Sequence, residues 1–366
     1  MTLQTPISAA QAPALDRLWF TRCPVPTATG LAYKLGWLQE EFAADGVAVD
    51  TLQETASQEL RRHHYDHRLP SLIREGGNML AFGARAQGEP TRLVGLTFID
   101  EWQTILVRPD SGITEPKHLK GKRLALPSYI DHPIPTHIRG SSISRGMSLH
   151  GYKGSLDFAG LTFDDVDFVE VSARRNAEPR PVDGAASAPA LAGLWALQAL
   201  IDGKVDAVYV KGAAAVDAAR QLGAVVGINL DFLPERRFRV NNGTPRPITV
   251  HQSLIDDHFD LLARFLYQTL RAADWARDNL DGVRNILRAE TRGSDEAVAE
   301  AYHDGFHRSL HPDLSDERLA LFDQQKKFLW LHGFIDHDFE LNDWVDPRPL
   351  QAAHALLAQN REAVLA

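Results

Sequence analysis

Short apolar runs alternate with longer stretches in which apolar residues recur every three or four positions, the pattern of strands followed by helices. Leu18–Thr21 predicts a first strand, and the turn Cys23–Pro26 follows it. Thr29–Ala44 has helical spacing through Leu31, Leu35, Leu38 and Phe42 and stops at Gly46, after which Val47–Leu52 predicts a strand. Thr91–Thr97, Gln103–Arg108, Val166–Val171 and Ala207–Lys211 read as further strands, and Leu119–Pro127 as a turn and a strand. Ser141–His150 and Leu191–Asp202 read as helices. Ser253–Ala289 is strongly helical, carrying Phe259, Leu262, Phe265, Leu266, Leu270 and Trp275, and 294–366 is mostly helical too. Arg174–Pro189 is Pro-, Ala- and Asp-rich without periodicity, which predicts an exposed loop. Strands alternating with helices predict an α/β protein with mainly parallel sheets.

A chain of 366 residues accommodates two ordinary domains. Ile105–Gly112 and Arg239–Val250 read as two crossovers between lobes. They predict one lobe from 1–106 plus 241–366 and a second from 107–240, with a ligand cleft between them.

Charge narrows the partners. The formal net charge is -9 and no Lys/Arg-rich stripe is present, so nucleic acid is not expected as a partner. A single arginine can still bind a small anion locally. No run approaches the roughly 18 apolar residues of a membrane span. Met1–Asp16 is polar and Pro/Ala-rich, without the basic start and apolar stretch of a secretory signal. Together with a lone cysteine, which rules out an internal disulfide, this predicts a cytoplasmic protein, or a periplasmic one if a leader has been removed; a monomer is expected.

That cysteine, Cys23, sits in TRCPVP directly after a strand, where Pro24 and Pro26 stiffen the turn. It reads either as a cleft nucleophile or as a buried structural thiol. The segment RRHHYDHRLPSLIREGGNML adds His63, His64, His67, Arg68, Arg74 and the pair Gly76-Gly77. A histidine can take a thiol proton, an arginine grips a two-oxygen anion, and a Gly-Gly pair lets backbone N–H groups approach it. The plain alternative is a solvated helix face followed by a turn. His63 and His67, four apart, could share a helix face and hold a metal, but no HExxH is present and no metal is expected. GxGxxG after a strand, GxxxxGK[ST] and GxSxG are also absent, so no nucleotide cofactor or serine hydrolysis is expected. Trp102, Trp195, Tyr209 and Lys211 fall near strand ends or on adjoining helices and are weaker candidates to line a cleft.

CPVP followed by a helix ending in GWLQEEFAADGVAVD resembles the start of nitrate-, taurine- and alkanesulfonate-type solute-binding proteins. Within that superfamily Cys23 is similar to the cysteine of the sulfinate desulfinases, cytoplasmic enzymes with the solute-binding fold. The likeness extends to Arg74-Glu75-Gly76-Gly77, a histidine ten positions earlier at His64, and the segments TRLVGLT, ILVRPDSGIT, LKGKRLALP and LIDGKVDAVYV. It implies a two-lobed, periplasmic-binding-protein-like (type II) fold that releases sulfite from an organic sulfinate without metal or organic cofactor. Cys23, His64 and Arg74 would be catalytic, with Arg74, Gly76 and Gly77 holding the small anionic organosulfur substrate. RRHHYDH is more basic than a pocket for a biphenyl calls for, so an alkyl or smaller sulfinate fits as well. The alternative on the same fold is a non-catalytic binding protein for a sulfonate, nitrate or pyrimidine-like ligand; a ligand-sensing or biosynthetic relative is a third.

Overall fold

The computed structural model describes residues 14–22, 25–129, 142–171, 196–241, 243–291, 293–303 and 305–365. In chain order the strands are β1 (Arg17–Arg22), β2 (Ala48–Thr51), β3 (Leu72–Glu75), β4 (Thr91–Thr97), β5 (Gln103–Val107), β6 (Arg123–Pro127), β7 (Asp167–Val171), β8 (Ala207–Lys211), β9 (Val225–Asn229) and β10 (Arg246–His251). They form two five-stranded sheets, ordered β2-β1-β3-β10-β4 and β7-β6-β8-β5-β9. In sheet one, β1 runs parallel to β2 and β3, while β10 runs antiparallel to β3 and β4. In sheet two, β6 is parallel to β7 and β8, and β5 is antiparallel to β8 and β9.

The chain passes between the sheets twice, after β4 and before β10. Ile105, Leu106 and Val107, expected at the first crossover, are instead buried in β5 between β8 and β9. An apolar run with ladder partners on both sides is a strand interior. The crossing is the shorter segment 98–102 ahead of it, which includes Asp100 and Glu101.

The helix expected over Thr29–Ala44 is two helices, α1 (Ala28–Lys34) and α2 (Trp37–Ala43). Gly36 separates them at φ 80°, a left-handed position that glycine occupies without a Cβ clash. Further along, α3 (Gln58–Asp66) and α4 (Asn78–Ala86) flank β3, and α5 (Ile143–Phe158) follows β6. Next come α6 (Ala213–Leu222) after β8, α7 (Phe259–Asp278), α8 (Leu280–Thr291) and α9 (Asp316–Leu331). The expected loop at 174–189 lies outside the described residues.

Sheet one is covered on both faces. On one, Phe20 of β1 meets Phe265 of α7 edge-on at 5.9 Å, within a core that also takes in Leu31 of α1 and Phe42 of α2. On the other, Phe82 of α4 packs on Phe322 of α9 and on Trp344. Covering both faces of a largely parallel sheet leaves the strands' carboxyl edge as the place where polar groups collect.

Candidate active site

Adjacent parallel strands whose connections diverge open a crevice beyond their carboxyl ends, and β1 and β3 stand in that relation here. Arg22 ends β1 and directly precedes Cys23; Glu75 ends β3 and directly precedes Gly76-Gly77. Cys23 and Pro24 lie outside the described residues, as does Trp195. Arg22 is anchored by an ion pair with Glu290 of α8.

Thr21 and Arg74 are register partners on β1 and β3, so both side chains leave one face of the sheet. α3 crosses that face and brings the His64 ring to Thr21, with Nδ1 2.7 Å from Oγ1. Gln53 Nε2 donates to Thr21 Oγ1 at 2.9 Å and to the Arg22 carbonyl at 2.6 Å, which fixes the amide orientation. Thr21 Oγ1 thereby links the His64 ring to the Gln53 amide at the end of β1.

Arg74 is buried, at 1% exposure. Its Nε donates to the His64 carbonyl at 3.3 Å and its Nη2 to the Gly77 carbonyl at 3.0 Å. The first of those carbonyls belongs to the last turn of α3, the negative end of the helix, which suits a cation. The guanidinium lies against Gly76, where a Cβ would stand 2.8 Å from Cζ. Gly77 is the N-cap of α4. One arginine thus joins the histidine helix to the Gly-Gly turn.

The other histidines are placed differently. His63 Nδ1 is 2.8 Å from Asp66. His67 is the C-cap of α3 at φ 57°, beyond the helical residues, so it shares no helix face with His63. Its ring is buried, and burial first, then the charges of Arg74 and His64, hold its pKa well below 6.5, so it is neutral. Among the described residues no cluster of three or more His, Cys, Asp or Glu is arranged to hold a metal. Arg68 is exposed and pairs with Glu89.

Of the weaker candidates, Trp102 is a core residue. Tyr209 is buried, donates to Gln103 Oε1 at 2.8 Å, and accepts from Asn241 Nδ2. Lys211, at the carboxyl end of β8, holds Glu101 at 2.9 Å, and Glu101 also accepts from Tyr302 at 3.0 Å. Sequence reasoning missed Thr21, Gln53, Glu75 and Arg246. Glu75 and Arg246 are buried on the opposite face of sheet one from Arg74. Burial raises the Glu75 pKa, against hydrogen bonds from Thr29, Thr27 and Thr97 and the charge of Arg246. The available signal was a charged pair, Arg74-Glu75, closing an otherwise apolar strand, and an arginine between two prolines in TPRPITV. A separate cavity of about 240 Å³ beside the crossings is lined by Phe98, Asp100, Gln103, Asp231, Arg236 and His303.

Two α/β sheets joined by two crossings, with polar groups gathered at the carboxyl edge of sheet one, are the architecture of the solute-binding proteins. The chain shares the fold of the aliphatic sulphonate binding protein SsuA from Escherichia coli (14% identity, TM-score 0.64, covering 91% of this chain and 92% of that one). Within that architecture it is similar to the 2'-hydroxybiphenyl-2-sulfinate desulfinase of Rhodococcus erythropolis, at 29% identity over 360 residues, 91% of this chain and 92% of that one. The desulfurization enzyme DSZB superposes with a TM-score of 0.65 at 26% identity, covering 93% of this chain and 99% of that one. The NMT1/THI5 like family model matches residues 29–138. The resemblance drawn from CPVP and the His64–Arg74–Gly76-Gly77 spacing therefore extends over nearly the whole chain.

Proposed function

We propose that this protein is a sulfinate desulfinase: R–SO2⁻ and water give R–H and hydrogen sulfite. The observation that carries the reading is Arg74, buried at the crevice between β1 and β3 and tied to both His64 and Gly77 in a chain similar to a desulfinase over nine-tenths of its length. Arg74 supplies the charge that attracts the sulfinate, and the N–H groups at the Gly-Gly turn face the oxygens on which charge develops. Cys23 attacks sulfur or protonates the departing carbon, and His64 sets the thiol's protonation. A single thiol that must stay reduced fits a cytoplasmic site of action.

The test is sulfite release from benzenesulfinate and 2'-hydroxybiphenyl-2-sulfinate, followed colorimetrically. Wild-type protein should release sulfite, and Cys23→Ser should release none while still binding the sulfinate. Binding without release by the wild type would leave the solute-binding reading, which the likeness to a sulphonate-binding protein favours.

A further inference from the structure

On the far side of sheet one from Arg74, two cations from different sheets converge. Arg246 opens β10 beside Thr97, the last residue of β4, and so sits at the same sheet edge as the Gly76-Gly77 turn. Lys211 closes β8, at the carboxyl edge of sheet two. Both reach Gly243: a Cβ there would lie 2.9 Å from Arg246 Nη2 and 3.6 Å from Lys211 Nζ. Gly243 is buried and has φ +114°, and without a side chain it lets the two cations approach its backbone closely.

Arg246 is 2% exposed, and its Nε and Nη1 have no hydrogen-bond partner among the described residues. Buried guanidinium nitrogens are ordinarily satisfied, and a buried charge is costly unless an opposite charge meets it. Lys211 is paired with Glu101, so among the described residues the charge without an ion-pair partner is that of Arg246. Glu101 is already held by Lys211 and Tyr302, and Glu75 makes no ion pair with Arg246 and is shifted by burial toward its neutral form. Lys211 is part-exposed, so solvent reaches the pair at its lysine.

We propose that Arg246 and Lys211 form a second anion-binding subsite at Gly243, so that the substrate is an organic sulfinate bearing a further anionic group such as a carboxylate. This rests on the desulfinase reading for the sulfinate end only. With a net charge of -9, the protein as a whole disfavours a dianion, so any preference for one must be local.

Binding of benzenesulfinate, 2-carboxybenzenesulfinate and 3-carboxybenzenesulfinate to the full chain, by calorimetry, tests the proposal, with benzenesulfonate and benzene-1,3-disulfonate as an unreactive pair. The wild type should bind at least one dianion of each set roughly tenfold to a hundredfold tighter than its monoanion, the effect of one added charge-assisted contact. Arg246→Gln should erase that ratio and Lys211→Gln should reduce it. If Arg246→Gln does not fold, the wild-type ratio and Lys211→Gln decide alone. Equal affinity for monoanions and dianions, or binding of neither, overturns the subsite even where sulfite is released. A dianion preference with no sulfite released from any sulfinate upholds the subsite and defeats the desulfinase reading.

Discussion

Gly76 and Arg74 constrain one another at the crevice. A Cβ at residue 76 meets the far end of a flexible side chain, so the fold can yield but the guanidinium must move. Gly76→Ala should therefore lower kcat/KM for a sulfinate at least tenfold while shifting the melting temperature by only about a few degrees. A collapse in stability with binding retained in the folded fraction would show Gly76 to be purely structural. Arg74→Lys keeps the charge but loses the planar fork that reaches both the His64 and Gly77 carbonyls. Losing one such bond, worth about 1.5–3 kcal/mol, should weaken sulfinate binding by roughly one to two decades. Arg68→Lys is the control, since Arg68 is exposed and paired with Glu89. Near-equal damage at 68 and 74 would place the anion elsewhere.

Among the elements, α5 shows how close packing fixes sheet two. Glycine normally weakens a helix interior by up to about 1 kcal/mol relative to alanine. In α5 it does the reverse at Gly151 and Gly154, which admit the Tyr209 ring and the Phe238 carbonyl. Gly146 instead faces Met79 and Phe334. A backbone carbonyl cannot step aside as a methionine can, so Gly154→Ala should cost at least the roughly 1–3 kcal/mol of an overpacked core. Gly146→Ala should cost less. Urea denaturation of the two variants checks the order, and equal midpoints would mean that the segment carrying Phe238 shifts freely.

For the whole molecule, the informative contact is the one joining the parts. His150 of α5 stacks on Phe328 of α9 with ring centroids 4.2 Å apart, and Gln325 of α9 bridges to His150 and to Asn78 of α4. Asn78 also donates to the Pro245 carbonyl, just ahead of β10. Burial, with smaller effects from Lys153 and His332, pushes His150 down to about 3. An unfolded histidine titrates near pH 6.5. Below that pH the unfolded chain gains a proton that folded His150 refuses, so this contribution is complete above pH 6.5 and drains as the pH falls toward 3. The loss is at most about 1.4 kcal/mol per pH unit. The drop in melting temperature between pH 7 and pH 4.5 should be smaller in His150→Gln than in wild type, and an unchanged drop would refute burial of a neutral ring. The division of the chain into discontinuous lobes remains our proposal, and limited proteolysis at the crossings would test it.

Local features were legible without tertiary structure. Helical periodicity located α7 and apolar runs located β1, β4, β5 and β8, because each signal is carried by neighbours in sequence, while resemblance to the sulfinate desulfinases singled out His64, Arg74 and Gly76-Gly77 as candidates. Sequence periodicity left β3, β9 and β10 unseen. The four residues of β3 include Arg74 and Glu75, whose charges hide a strand that pairing with β1 and β10 creates. Choosing among His63, His64 and His67 was likewise a tertiary decision. Three histidines within five residues look alike until α3 crosses the sheet, where one ring meets Thr21, one meets Asp66 and one is buried at the C-cap. That Arg246 of TPRPITV and Lys211 of AVYVK meet at Gly243 was a tertiary decision too, since they open and close strands of different sheets and their contact depends on the fold and not on sequence neighbours.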